Sequence, residues 1–136
     1  MKECVQLQGA VAHALQQDHE VLVEKGIVGR EVEVGIVGTK ELICSIPGEV
    51  TYQDEFYTYE SKYLPGGCSI VPIELPQEQI KKIQDVAITA YKALGCAGFA
   101  RVDFFVTEEQ IYINEVNTIP GMTPTSAMPK LWQMSG

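Results

Sequence analysis

Apolar residues recur at helical spacing from the start of the chain. Leu7, Val11, Ala14 and Leu15 share one side of a helix predicted over residues 4–17. After Glu20 the period changes. Val32, Val34 and Ile36 alternate with Glu31, Glu33 and Gly35, and Gly26, Gly29, Gly38 and Gly48 punctuate the stretch to Val50. That pattern predicts a half-buried strand within a meander of two or three antiparallel strands. Residues 51–75 mix aromatic, charged and turn residues and read as a loop holding at most one short strand. The clearest helix follows: Pro76 suits its first turn, Ile80, Ile83, Ala87, Ala90, Tyr91 and Leu94 form its apolar face, and Gly95 is placed to stop it. Two short strands lie within RVDFFVTEEQIYINEVNTIPG, from Arg101 to Gly121, and GMTPTSAMPKLWQM leads into a last helix. The order α-β-β-β-loop-α-β-β-α with short connections predicts an α+β fold, an antiparallel sheet with helices packed on one face.

Composition narrows the function classes. The chain has 136 residues, 46% of them hydrophobic, enough for one domain with a real core. A formal net charge of -8 argues against general nucleic-acid binding, which needs a basic face. No stretch approaches the roughly 18 apolar residues of a membrane span, and no secretory start is present, so a cytoplasmic location is expected. Cys4, Cys44, Cys68 and Cys96 form no C-x-x-C pair and read as small hydrophobes in a reducing compartment. His13 and His19 have no cysteine neighbours at metal spacing and read as surface residues. Both ends look abrupt, and a fragment of a longer protein is expected.

The second strand pair carries polar side chains where a core would have apolar ones. Residues two apart on a strand share a face, as do Arg101 with Asp103 and Glu115 with Asn117. A hairpin turning at Glu108–Gln110 sets Asp103 opposite Glu115 and Arg101 opposite Asn117, so all four converge. The EEQ tip lacks the glycine that a three-residue turn prefers, which leaves room for a bulge or a longer loop. Two carboxylates and an amide oxygen are hard ligands suited to Mg²⁺ or Mn²⁺. The plain alternative is a solvated sheet face with an Arg–Asp ion pair. Directly after Asn117, Pro120 and Gly121 force a turn, and Thr123, Thr125 and Ser126 add hydroxyls before a helix start, a setting that binds anions. A cation site and an anion site are thus adjacent.

These stretches resemble the C-terminal half of the ATP-grasp ligases, specifically the D-alanine–D-alanine ligase family with its D-lactate and D-serine relatives. The match runs through VLVEKGIVGREVEVGIVG, FYTYESKYL, YKALGCAGFARVDFF and IYINEVNTIPGMT, nearly the whole chain. The resemblance implies that Asp103, Glu115 and Asn117 are Mg²⁺ ligands, with Glu115 bridging two ions. It implies that Arg101 and the backbone N–H of Gly121 stabilise a tetrahedral intermediate. Glu24, Lys25 and Ile27 would read adenine, Glu31 the ribose, and Phe56 would contact the base. Lys62 would reach the γ-phosphate. Ser126 and the N–H of Ala127 would hold the second substrate's carboxylate.

The implied reaction is ATP-dependent joining of D-alanine to a second D-amino acid through an acyl phosphate, as in peptidoglycan synthesis. The implied enzyme is a cytoplasmic homodimer whose N-terminal and central lobes this chain lacks, so the chain alone is expected to be inactive. MTPTSAM leaves the second substrate open among D-alanine, D-serine and D-lactate, while Tyr63 after Lys62 favours D-alanine. Two other classes compete: another ATP-grasp carboxylate–amine ligase, and a non-catalytic nucleotide-binding domain.

Overall fold

Strand β1 (Arg30–Gly38) is the spine of the sheet. Its alternation buries Val32, Val34 and Ile36 completely and turns Glu31, Glu33 and Gly35 to the other face. The structure, a computed structural model, describes residues 4–52 and 68–136. The elements are α1 (Cys4–Ala14), β1, β2 (Leu42–Cys44), β3 (Gly48–Tyr52), β4 (Cys68–Pro72), α2 (Gln77–Ala93), β5 (Gly98–Val106), β6 (Ile111–Asn117) and α3 (Ala127–Ser135). The strands form one antiparallel sheet in the order β4-β3-β1-β5-β6, with β2 added to the far end of β1. Strand β4 is the short strand allowed for within residues 51–75, and it pairs with β3 from Gly48↔Pro72 to Tyr52↔Cys68.

Helix α2 covers the apolar face. Its Ile83, Ala87 and Tyr91 pack with Val32, Val34, Ile36, Ala100, Val102 and Phe104 in the main core. Burying each large apolar side chain contributes about 1.5–3 kcal/mol. Gly95 ends the helix as expected: at φ +65 it lets its own N–H reach Lys92 O and the Cys96 N–H reach Tyr91 O, the paired bonds of a Schellman stop.

The antiparallel α+β architecture stands, but the helices do not share a face. A Cβ at Gly35 would lie 2.9 Å from Met128 Sδ, and one at Gly48 would lie 2.6 Å from Leu131 Cδ2. Both glycines sit on the face opposite Val32 and Val34, so α3 packs there, seated where the sheet has no side chains to displace it. The reason is compositional: α3 buries Met128 and Leu131, and on this face the two glycines leave room for them, with Ile70 of β4 beside Gly48.

The β5–β6 hairpin reaches the expected pairs by a different route. Asp103 lies opposite Glu115 and Arg101 opposite Asn117. The tip is the four residues Thr107–Gln110, closed by Thr107 N–H to Gln110 O at 2.9 Å and by Gln110 N–H to the Thr107 hydroxyl at 3.0 Å. That hydroxyl makes a glycine unnecessary. The extra residue of the tip is absorbed by a bulge at Asn114, beside the break in register between Asp103 and Phe104. Without it Ile111, Ile113, Glu115 and Asn117 would all share one face. With it Ile111 and Ile113 oppose Val106 and Phe104 on the apolar side, while Glu115 and Asn117 stay on the polar side.

Helix α1 ends at Ala14, short of the expected residue 17, and the chain leaves through a turn in which Gln17 N–H bonds Ala14 O. Among the described residues no helix is long and apolar enough to cross a membrane. Cys44 and Cys96 are free thiols. Burial, then the nearby charge of Asp85, pushes the Cys44 thiol up to about 11. Because the thiolate is the reactive form, Cys44 is expected to resist iodoacetamide at pH 8 in the folded chain and to react once the chain is denatured. Mass mapping of the alkylated peptides checks this, and full labelling in the folded chain would contradict it.

Candidate active site

The polar face of β1, β5 and β6 brings four of the expected side chains together and adds a fifth. Arg101 sits across from Gly35 of β1 and Asn117 of β6, and Asp103 across from Glu33 and Glu115. The guanidinium grips Asp103 with two parallel bonds, Nε to Oδ1 and Nη2 to Oδ2, both 2.7 Å. Its Nε also lies 3.4 Å from Glu33 Oε1. The pair is not the solvated one that a plain sheet face would carry: Arg101 and Asp103 side chains are only 16% and 13% exposed. Burial opposes the Arg101 charge, but the bonds to Asp103 and the fields of Asp103, Glu33 and Glu115 outweigh it and raise its pKa. The guanidinium is therefore a fixed positive charge.

Glu33 is the fifth, which the sequence marks only as a polar position of a half-buried strand. Desolvation is the main cause that pushes its carboxyl up to about 7; Arg101 works against this, and Asp103, Glu31 and Glu115 add to it. Its Oε2 is buried without a hydrogen-bond partner. Alternation with Val32 and Val34 could have placed it on this face. Nothing local in the sequence pairs it with Asp103.

Glu33, Asp103 and Glu115 surround one guanidinium, with Glu31 further along the same face, so the charge balance favours a cation. Among the described residues no three histidine, cysteine, aspartate or glutamate side chains are arranged to hold a metal. The donor set is two carboxylates and the Asn117 amide; Asp103 is held by Arg101, and Asn117 Oδ1 accepts the Ile119 N–H at 3.1 Å. The hard-oxygen chemistry, with a buried Glu33 oxygen left without a hydrogen bond beside it, fits a divalent ion, which would compete with Arg101 for Asp103.

The turn after Asn117 adds the other half. Pro120 is buried and Gly121 exposed, and a Cβ at Gly121 would lie 2.8 Å from Ser126 Oγ. Ser126 precedes α3 and does not cap it; its hydroxyl lies 2.7 Å from Thr123 Oγ1 and accepts the Thr123 N–H. Gly121, Ser126 and Ala127 thus stand around one tight turn, with hydroxyls gathered at the start of a helix.

A separate open groove of about 1130 Å³ lies at the hairpin end of the sheet, lined among others by Lys25, Ile27, Glu31, Val106, Glu109 and Tyr112. Three residues expected to hold a nucleotide line it, while Glu24 is exposed outside it. Glu31 joins groove and polar face, being two residues from Glu33 on the same side of β1. Phe56 and Lys62, with Tyr63, lie outside the described residues.

Comparison with known proteins fits this geometry. A family model described as "D-ala D-ala ligase C-terminus" matches residues 1–136. The chain is 49% identical over 132 residues to D-alanine–D-alanine ligase of Geobacillus thermodenitrificans, covering 96% of itself and 36% of that protein. It is 48% identical over 134 residues to D-alanine–D-alanine ligase A of Salmonella typhimurium, covering 96% of itself and 37% of that protein. Among solved structures, the D-alanine–D-alanine ligase of Coxiella burnetii superposes with a TM-score of 0.84 at 36% identity, over 100% of this chain and 36% of that one. The VanG D-Ala:D-Ser ligase of Enterococcus faecalis gives 0.82 at 41% identity, over 98% and 40%. The ATP complex of the Bacillus anthracis D-alanine–D-alanine ligase gives 0.77 at 29% identity, over 98% and 45%. The chain spans about a third of the length of the curated relatives it matches.

Proposed function

The chain belongs to the D-ala D-ala ligase C-terminal family, and from that membership we propose that it is the C-terminal ATP-grasp part of a cytoplasmic, homodimeric ligase. That ligase joins D-alanine to a second D-amino acid for peptidoglycan synthesis, using ATP. The observation that carries the reading is the register that sets Arg101, Asp103, Glu115 and Asn117 on one face beside the Gly121 turn. In the first step the carboxylate of one D-alanine attacks the γ-phosphorus of ATP, giving an acyl phosphate and ADP. In the second, the amine of the other amino acid attacks the acyl carbon, and phosphate leaves.

The candidate site residues divide the tasks of that scheme. Lys25 and Ile27 line the groove where the adenine would sit, Glu24 would reach it from the adjoining chain, and Glu31 takes the ribose hydroxyls. Asp103, Glu115 and Asn117 would hold Mg²⁺ or Mn²⁺, which neutralises charge on the transferring phosphoryl group. Arg101 and the Gly121 N–H stabilise the oxyanion of the tetrahedral adduct. Ser126 and the Ala127 N–H orient the second substrate's carboxylate; by family likeness Phe56 would contact the base and Lys62 the γ-phosphate.

The test is ADP release, coupled to a chromogenic readout, from the full-length protein with Mg²⁺ and a panel of D-alanine, D-serine and D-lactate. D-serine belongs in the panel because a 41% identical relative is a D-Ala:D-Ser ligase. The expected result is D-alanine-dependent ADP with a dipeptide product, and no turnover by the 136-residue chain alone. Full-length protein that binds ATP yet releases ADP with no amino acid of the panel would remove the ligase reading.

A further inference from the structure

Asp103 would be contested by two cations. Both of its oxygens are bonded to Arg101 at 2.7 Å, and a divalent ion needs at least one of them. An ion on Asp103 repels the guanidinium and weakens its hold there, so the guanidinium leans on another anion within the site, because an unpaired charge this deeply enclosed is costly. Glu33 is already in place for that. Its Oε1 is 3.4 Å from Arg101 Nε, its side chain is only 13% exposed, and its Oε2 is buried with no partner. It lies directly across β1–β5 from Asp103, so a small rotation carries the guanidinium from one carboxylate to the other along a single sheet face. A buried carboxylate oxygen left without a bond is a destabilising feature unless another state of the molecule uses it.

The geometry points to Glu33 as a positioning residue: it is the second anchor of Arg101, receiving the guanidinium when Asp103 turns to the metal. This rests on the proposed ligase site, since it assumes an ion at Asp103. Glu33 touches no substrate. It acts by keeping Arg101 within reach of the developing oxyanion and by freeing Asp103.

The test is a double-mutant cycle in the full-length protein with Glu33→Gln and Arg101→Ala, reading Mn²⁺ affinity by electron paramagnetic resonance of the free ion without nucleotide. Glutamine keeps the shape but cannot compete for the guanidinium. Glu33→Gln is expected to weaken Mn²⁺ binding about tenfold, because Arg101 stays on Asp103. In the Arg101→Ala background the same change is expected to have no effect, since the clamp is already gone. Equal loss in both backgrounds would mean that Glu33 acts only as a nearby negative charge, and would overturn the proposal. So would unchanged affinity in the single variant, or a wild type that binds no Mn²⁺. Glu33→Met, of similar volume, repeats the cycle should the glutamine variant melt early. Under turnover, Glu33→Gln should lower kcat by about ten- to a hundredfold with the KM for ATP nearly unchanged. An enzyme lacking D-alanine-dependent ADP release would sink the proposed function, while the Mn²⁺ cycle would still decide the role of Glu33.

Discussion

Arg101→Ala in the full-length protein is expected to lower kcat by roughly 10²–10³-fold, the effect of removing one oxyanion donor. Two further consequences follow from the geometry. Asp103 loses both of its 2.7 Å bonds, and Glu33 loses its nearest cation, leaving carboxylates adjacent on one enclosed face. Breaking a buried pair by removing one partner costs about 3–5 kcal/mol, so the variant should also melt earlier. Added Mg²⁺ should recover part of that stability, because an ion then compensates the freed carboxylates, but it should not recover the rate. Arg101→Lys should fail to restore activity, since an ammonium cannot reproduce a planar fork on Asp103. Steady-state ADP release and thermal melts with and without Mg²⁺ measure these separately. An alanine variant with near wild-type kcat would remove Arg101 from the chemistry.

The largest effect on folding is expected from Gly38→Ala. Gly38 closes β1 at φ +126, a region that side-chain-bearing residues avoid, and a Cβ there would lie 1.9 Å from the carbonyl oxygen of Glu41. That neighbour is backbone and cannot swing away. Gly38 is also paired on both sides, with Leu42 and with Gly98, and its carbonyl accepts the Tyr91 hydroxyl at 2.8 Å. Relief of the clash therefore pulls on β2, β5 and α2 together. A loss of about 3 kcal/mol or more is expected, combining backbone strain with steric overlap. Gly9→Ala is the control: nothing lies within 4 Å of its added Cβ, and alanine favours the helix by up to about 1 kcal/mol. Thermal unfolding followed by circular dichroism should lower the transition for the first and leave or raise it for the second.

Much of this was legible in the sequence because it is local. The period of Ile83, Ala87 and Tyr91 gives α2 and its buried face, and Gly95 gives its end. The alternation of Val32, Val34 and Ile36 gives β1. The polar pairs of the hairpin were readable from spacing, and the glycine-free tip left room for a bulge; its place at Asn114 was not readable, because it follows from a threonine hydroxyl closing a four-residue tip. What stayed hidden is non-local. Glu33 meets Asp103 only because β1 and β5 are neighbours in the sheet, and no short-range pattern in either strand records that pairing. The seat of α3 depends on two glycines whose lack of side chains becomes visible only once Met128 and Leu131 are above them. Phe56 and Lys62 lie outside the described residues and remain assignments by family likeness.

The bulge at Asn114 has an evolutionary consequence. Deleting that one residue would join Ile113 directly to Glu115 and leave each cross-strand partner where it is. Deleting Val116 instead would turn Asn117 away from Arg101. Homologous genes can therefore gain or lose a codon at 114 without touching the chemistry, whereas the two codons on either side of Val116 must keep their spacing. Length variation in this hairpin should collect at that single position.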